Sequence, residues 1–162
     1  MLKKLAFGLM LLGWIPTLAI VFGARWIAGS PVSAQEHVPI KITRLYTGPD
    51  GKARIEEFDV PLKAQDRGTD RSVPVAVTDL VFRRTNQDYF LDWHRAPRRQ
   101  FVVTLSGESE VELEDGKKIR LGPGNILLAE DTTGKGHISR AVGSQDRISL
   151  FITLADGANP PR

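Results

Sequence analysis

The residues best suited to chemistry lie between Asp92 and Arg140. His94 is followed by Ala96, Gln100 and Gly107, then by Gly122-Pro123-Gly124-Asn125, and His137 closes the series. A neutral imidazole offers a lone pair to a metal ion, and its pKa near neutrality suits proton transfer, so His94 and His137 are candidates for either task. Gln100 adds a neutral amide. Glu130 and Asp131 stand seven and six positions before His137. Either supplies the anionic oxygen that a divalent ion favours, or both accept hydrogen bonds from Thr132, Thr133 and nearby amides to hold a turn. Arg95, Arg98 and Arg99 surround Pro97, where a planar guanidinium clamps a carboxylate or phosphate, or is simply solvated loop charge. Trp93 and Phe101 either wall a cavity or belong to the core. His37, the remaining histidine, has no neighbours of this kind.

The order and spacing of this set resemble a cupin, whose two motifs are written G-x5-H-x-H-x3,4-E-x6-G and G-x5-P-x-G-x2-H-x3-N. His94 falls on the first histidine, Ala96 on the second, Gln100 on the glutamate and Gly107 on the closing glycine. Gly122-Pro123-Gly124-Asn125 resembles the Pro/Gly turn of the second motif, and His137 its histidine, after a longer gap. The resemblance runs from about Val81 to Leu154 and is closest to small single-domain, cupin-2-like proteins. It implies a jelly-roll barrel (a double-stranded β-helix) and, in most members, an iron, manganese or zinc ion. Here two of the three first-motif ligands are replaced, which leaves a depleted metal site of His94, Gln100 and His137, with Glu130 as the added carboxylate. The expected ligand-binding set is His94, Gln100, Arg98, Glu130 and His137.

Two classes of function follow from that expectation. One is an exported cupin that binds a small molecule in its barrel. The other is a cupin enzyme, a metal-dependent oxygenase or a metal-free isomerase, with His94 or His137 as catalytic acid or base. A third reading, an interaction scaffold held at the membrane by its leader, requires the leader to stay attached. Phosphate-loop and serine-hydrolase chemistry lack their motifs: Gly134-Lys135 has no preceding glycine loop, and no serine sits in G-x-S-x-G.

Strands must position these residues. After Gln35 no segment carries an apolar 3.6 period over three turns, whereas short β-rich runs recur between Gly, Asp and Pro. The predicted strands are 40–46, 53–60, 76–83, 89–93, 100–105, 108–114, 118–121, 126–129, 137–141 and 147–154. Glu108, Glu110, Glu112 and Glu114 alternate with Ser109, Val111 and Leu113, which points carboxylates to water and apolar groups to a core. Asp115-Gly116 then turns the chain toward Lys117 and Lys118 as a hairpin. Pro61 to Val73 is charged and aperiodic and reads as a surface loop, and Asp156 to Arg162 reads as a frayed tail.

The chain begins with Lys3, Lys4, a run of 20 uncharged residues from Leu5 to Ala24, and Val32-Ser33-Ala34. That is the outline of an export signal cleaved between Ala34 and Gln35, dividing the chain into a leader (1–34) and a single β domain (35–162). The run also reaches the ~20 residues of a membrane span, and Arg25-Trp26 suits an interface, so an uncleaved anchor is the alternative. Either way the domain is expected outside the cytoplasm, periplasmic or secreted, with the membrane touched only through the leader. Of the 22 Lys and Arg only three precede residue 35, and the remaining 19 balance 19 Asp and Glu. A neutral body gives no footprint for a nucleic acid. A small molecule and a second copy of the chain are the expected partners. With no cysteine, disulfides and thiolate chemistry are ruled out.

Overall fold

The alternating pattern becomes strands throughout the computed structural model, which describes residues His37–Arg162. The leader, its cleavage site and the anchor alternative lie outside the described residues. Among the described residues no helix is long and apolar enough to cross a membrane. The strands are β1 (Lys41–Thr47), β2 (Ala53–Asp59), β3 (Lys63–Ala64), β4 (Asp70–Arg71), β5 (Val77–Thr85), β6 (Phe90–His94), β7 (Gln100–Ser106), β8 (Glu108–Glu112), β9 (Lys118–Leu121), β10 (Ile126–Glu130), β11 (His137–Val142) and β12 (Arg147–Leu154). The predicted all-β class therefore holds.

Hydrogen bonding divides the strands into a six-stranded sheet, β2-β1-β10-β7-β12-β5, a four-stranded sheet, β6-β11-β8-β9, and the small ribbon β3-β4. No strand is shared between the two large sheets, so they do not close into the expected barrel. They are joined by apolar side chains instead. One core cluster takes Leu45, Val102, Leu127 and Ala129 from the six-stranded sheet and Val111 and Leu121 from the four-stranded one. Area removed from water stabilises this layer pair at roughly 25 cal/mol per Å².

The six-stranded sheet is also covered on its other face, where Ile42, Phe101, Leu128 and Leu154 gather with Phe58, Val75 and Ala158. Its inner strand β10 therefore reads as the unbroken apolar run Ile126-Leu127-Leu128-Ala129, one face serving each cluster. The C-terminal tail helps to cover this second face. Arg99 donates to the Ala158 carbonyl at 2.9 Å, Arg162 reaches Glu130 at 2.9 Å, and Pro160 and Pro161 are buried, so the tail is docked where fraying was expected.

The hairpin forms where Asp115-Gly116 placed it. β8 pairs antiparallel with β9, Glu112 opposite Lys118 and Glu110 opposite Arg120, and Gly116 takes φ 81° in the turn. Val111 and Leu113 are buried as expected, but Glu110 and Glu112 are half-buried. β11 lies on the open side of β8 and brings Arg140 over both carboxylates, which also face Lys118. The expected surface loop is exposed, and it carries the β3-β4 ribbon around a turn at Asp66–Gly68.

Candidate functional site

Three strand ends converge between the two large sheets. His94 ends β6 and His137 begins β11, and the two are directly paired across that ladder. Gln100 begins β7, opposite Ala129 of β10 and Thr153 of β12. The β6–β11 approach is close. Gly136, at φ 79°, has its missing Cβ position overlapping the His94 carbonyl, so only glycine permits this crossing.

These residues line a cavity of about 440 Å³. Its apolar wall comes from Val102, Val111, Leu121, Leu127, Ala129 and Phe151. Its polar lining includes His94, His137, Gln100 and Ser139. The imidazole centroids are 4.3 Å apart with their planes at 54°.

Each imidazole is oriented through Nδ1. His94 Nδ1 lies 2.8 Å from the Asp92 carbonyl oxygen, which can only accept, so the proton is on Nδ1 and Nε2 carries the lone pair. His137 Nδ1 lies 2.6 Å from Oδ2 of Asp131, a carboxylate with no exposed surface. Both rings therefore leave Nε2 for the cavity. Burial holds the His94 pKa below its ordinary 6.5, and the nearby His137 and Arg83 act in the same direction against the Asp92 carbonyl and Asp131.

Glu130, expected as the added carboxylate, does not line the cavity. It ends β10 facing the other way, where its oxygens accept from Arg44 at 2.6 Å, Arg99 at 2.5 Å and Arg162 at 2.9 Å. Burial pushes its pKa up, but the hydrogen bonds from Arg44 and Arg99 outweigh burial and hold the group below the usual carboxylate range. Adjacent residues of an extended chain face opposite sides, so the turn of Glu130 outward directs Asp131 inward to His137. Arg98 is also outside this cavity; it is exposed, with Asp79 3.5 Å away. Of the three arginines around Pro97 only Arg95 lines it. Phe101 is core on the far face of the six-stranded sheet, and Trp93 lies under the Lys135 ammonium at 4.1 Å.

The donor set facing the cavity is two imidazole nitrogens and one neutral amide, with no anionic oxygen among the lining residues. Among the described residues no group of three or more His, Asp or Glu side chains is placed to hold a metal ion. The set thus lacks the carboxylate and third imidazole that the cupin pattern would contribute. Among the lining residues that the motif spacing left unmarked are Arg83 of β5 and Arg147 of β12. Arg147 opens an otherwise uncharged strand, Ile148-Ser149-Leu150-Phe151-Ile152, and that lone charge at a strand start was the one available signal.

No protein-family model matches the chain, and no curated protein matches it. Among solved structures it is similar to protein NMB1881 from Neisseria meningitidis, at 14% sequence identity and a TM-score of 0.38, over 54% of this chain and 90% of that one.

Proposed function

We propose that this is an exported protein of cupin type, its two sheets a jelly-roll arrangement, which binds a small molecule in the cavity between them and holds no catalytic metal. One observation carries the reading: the cavity pairs an apolar wall with oriented imidazoles and an amide, no carboxylate is among its lining residues, and Asp131 behind it holds Nδ1 of His137. Sites for small molecules have this composition, apolar overall with a few fixed polar groups. A divalent ion is poorly served by a neutral donor set lying among arginines.

Elemental analysis of the protein from its native compartment, with mass spectrometry of co-purified small molecules, tests this directly. The expected result is far less than one metal per chain and a recurrent bound molecule. Ala96→His with Gln100→Glu should raise Zn²⁺ or Mn²⁺ affinity, since imidazole and carboxylate would replace water at the ion. Stoichiometric iron, manganese or zinc, with an activity lost on chelation and in His94→Ala, would overturn the binding reading in favour of an oxygenase. Export predicts a native N-terminus at Gln35, whereas a soluble cytoplasmic product retaining Met1 would refute it.

A second reading rests on the His137–Asp131 pair. A buried carboxylate that fixes an imidazole's tautomer is the arrangement of a general base, and burial lowers the pKa of His94 beside it. Metal-independent turnover of the co-purified molecule, abolished in His137→Gln, would establish an isomerase-like activity. The homodimer belongs to the same proposal. β5 is an edge strand that leaves Leu80 and Phe82 exposed, an edge that a second copy would cover. A monomer in light scattering at micromolar concentration would remove that part.

A further inference from the structure

The charge inside the cavity is one-sided. Arg83, Arg95 and Arg147 line it together with the two histidines, and no aspartate or glutamate does. Arg147 is the unusual member. It is 7% exposed, its Nε has no hydrogen-bond partner, and it enters none of the ion pairs among the described residues. Among the described residues, the part-buried arginines outside the cavity are matched: Arg44 and Arg99 by Glu130, and Arg140 by Glu112. Burial, and after it the positive charge of Arg83, draws the Arg147 pKa below its ordinary value, against an opposing effect of Tyr89. A buried, unmatched guanidinium is costly to keep, so a partner that arrives with the ligand is its natural complement.

The surroundings of Arg147 point the same way. On β12, Arg147, Ser149 and Phe151 share one face, and β5 places Thr85 opposite Arg147 and Arg83 opposite Ser149. The hydroxyls of Thr85 and Ser149 are buried and, like Arg147 Nε, have no partner. Three unsatisfied polar groups thus stand side by side on two adjacent strands, where a bulge between Ile148 and Ser149 breaks the ladder to β7. Arg83 lies over the rings of Tyr89 and Phe151, 5.1 Å from each centroid, which holds its guanidinium against the apolar wall.

We propose that Arg147 and Arg83 receive the carboxylate of a small organic anion whose apolar body lies along Phe151 and the valine and leucine side chains of the cavity. The Nε2 atoms of His94 and His137 meet the rest of the molecule. A planar guanidinium matches a carboxylate through two parallel N–H groups. This inference rests on the small-molecule reading of the cavity and adds the chemical class of the ligand.

Benzoate and its uncharged isostere benzamide separate the two claims when titrated calorimetrically into the mature protein, the Arg147→Met variant and the Arg83→Gln variant. Benzoate should bind the wild type at least about tenfold more tightly than benzamide, and Arg147→Met should abolish that preference while leaving benzamide binding intact. Arg83→Gln should reduce it in part. Thermal unfolding of ligand-free Arg147→Met keeps the test independent of folding: loss of an unmatched buried charge should leave Tm unchanged or raised. Equal binding of benzoate and benzamide would overturn the anion assignment and leave the cavity reading standing. Binding of neither at millimolar concentration would overturn both. Inorganic phosphate binding more tightly than benzoate would overturn the carboxylate, and a lowered Tm in Arg147→Met would overturn the claim that this guanidinium lacks a partner.

Discussion

Replacing Glu130 by glutamine removes a single negative charge from among three guanidinium groups and keeps the side-chain volume. The Glu130 side chain is only 6% exposed, and its two oxygens accept from Arg44 Nε at 2.6 Å, from Arg99 Nε at 2.9 Å and Nη2 at 2.5 Å, and from Arg162 Nη2 at 2.9 Å. A glutamine retains one acceptor oxygen and turns an N–H₂ donor toward the remaining arginines, so about half of these bonds are lost. Net contributions of hydrogen bonds to charged groups are about 1.5–3 kcal/mol each, and breaking a fully buried ion pair costs about 3–5 kcal/mol. Two discounts apply. Arg99 and Arg162 are 35% and 39% exposed and can turn to water, and Arg44 keeps Glu56 at 2.8 Å. The expected loss is therefore about 2–3 kcal/mol, a fall in Tm of roughly 6–12 °C for a domain of this size.

Urea and thermal unfolding would measure that loss, and its pH dependence has a definite sign. The folded pKa of Glu130 lies below its ordinary 4.5, so its stabilisation is complete above that value and is lost as pH falls through the folded pKa. The difference between wild type and Glu130→Gln should therefore be full at pH 6 and shrink in acid. Ligand binding in the cavity should be unaffected at neutral pH. A stability change under about 0.5 kcal/mol, or unchanged Tm with lost ligand binding, would refute the reasoning and return Glu130 to the cavity.

Other expectations follow from the same geometry. Gly136→Ala adds a methyl group against the His94 carbonyl at a positive φ and should cost more than about 2 kcal/mol, so a variant with wild-type Tm would remove the close β6–β11 crossing. Leu113, 2% exposed in the larger core, should not tolerate aspartate, with a loss above about 4 kcal/mol by denaturant unfolding. Glu112→Gln, which weakens the contacts with Arg140 and Lys118, should cost only about 0.5–1.5 kcal/mol, and equal losses at the two positions would contradict the register of β8. Because the folded pKa of His94 is lowered, the unfolded chain takes up its proton first, and stability should fall as pH drops below 6.5. That slope is at most about 1.4 kcal/mol per pH unit, and identical pH profiles for wild type and His94→Gln in urea unfolding would exclude it.

The strands were legible because alternation is a property of a few neighbouring residues. Glu108 to Glu112 declares its two faces without reference to the rest of the chain, and Asp115-Gly116 declares its own turn. The positions of His94, Gln100 and His137 likewise marked the strand ends that approach one another. What local pattern cannot state is which face of a strand looks into the cavity and which strand lies next to it. Glu130 and Asp131 are neighbours of the same charge, yet the layering of the sheets sends one to three arginines and the other to His137. The docking of the tail under Arg99 and Glu130, and the joining of two sheets by a shared core without closure, are also consequences of long-range contact. Arg147 is the clearest case. Its residue type and place at the start of β12 were visible in the chain, but its lack of a partner, and the lining of one cavity by Arg83 beside it, exist only once β5 and β12 are paired, because burial and charge balance are properties of what surrounds a residue in space.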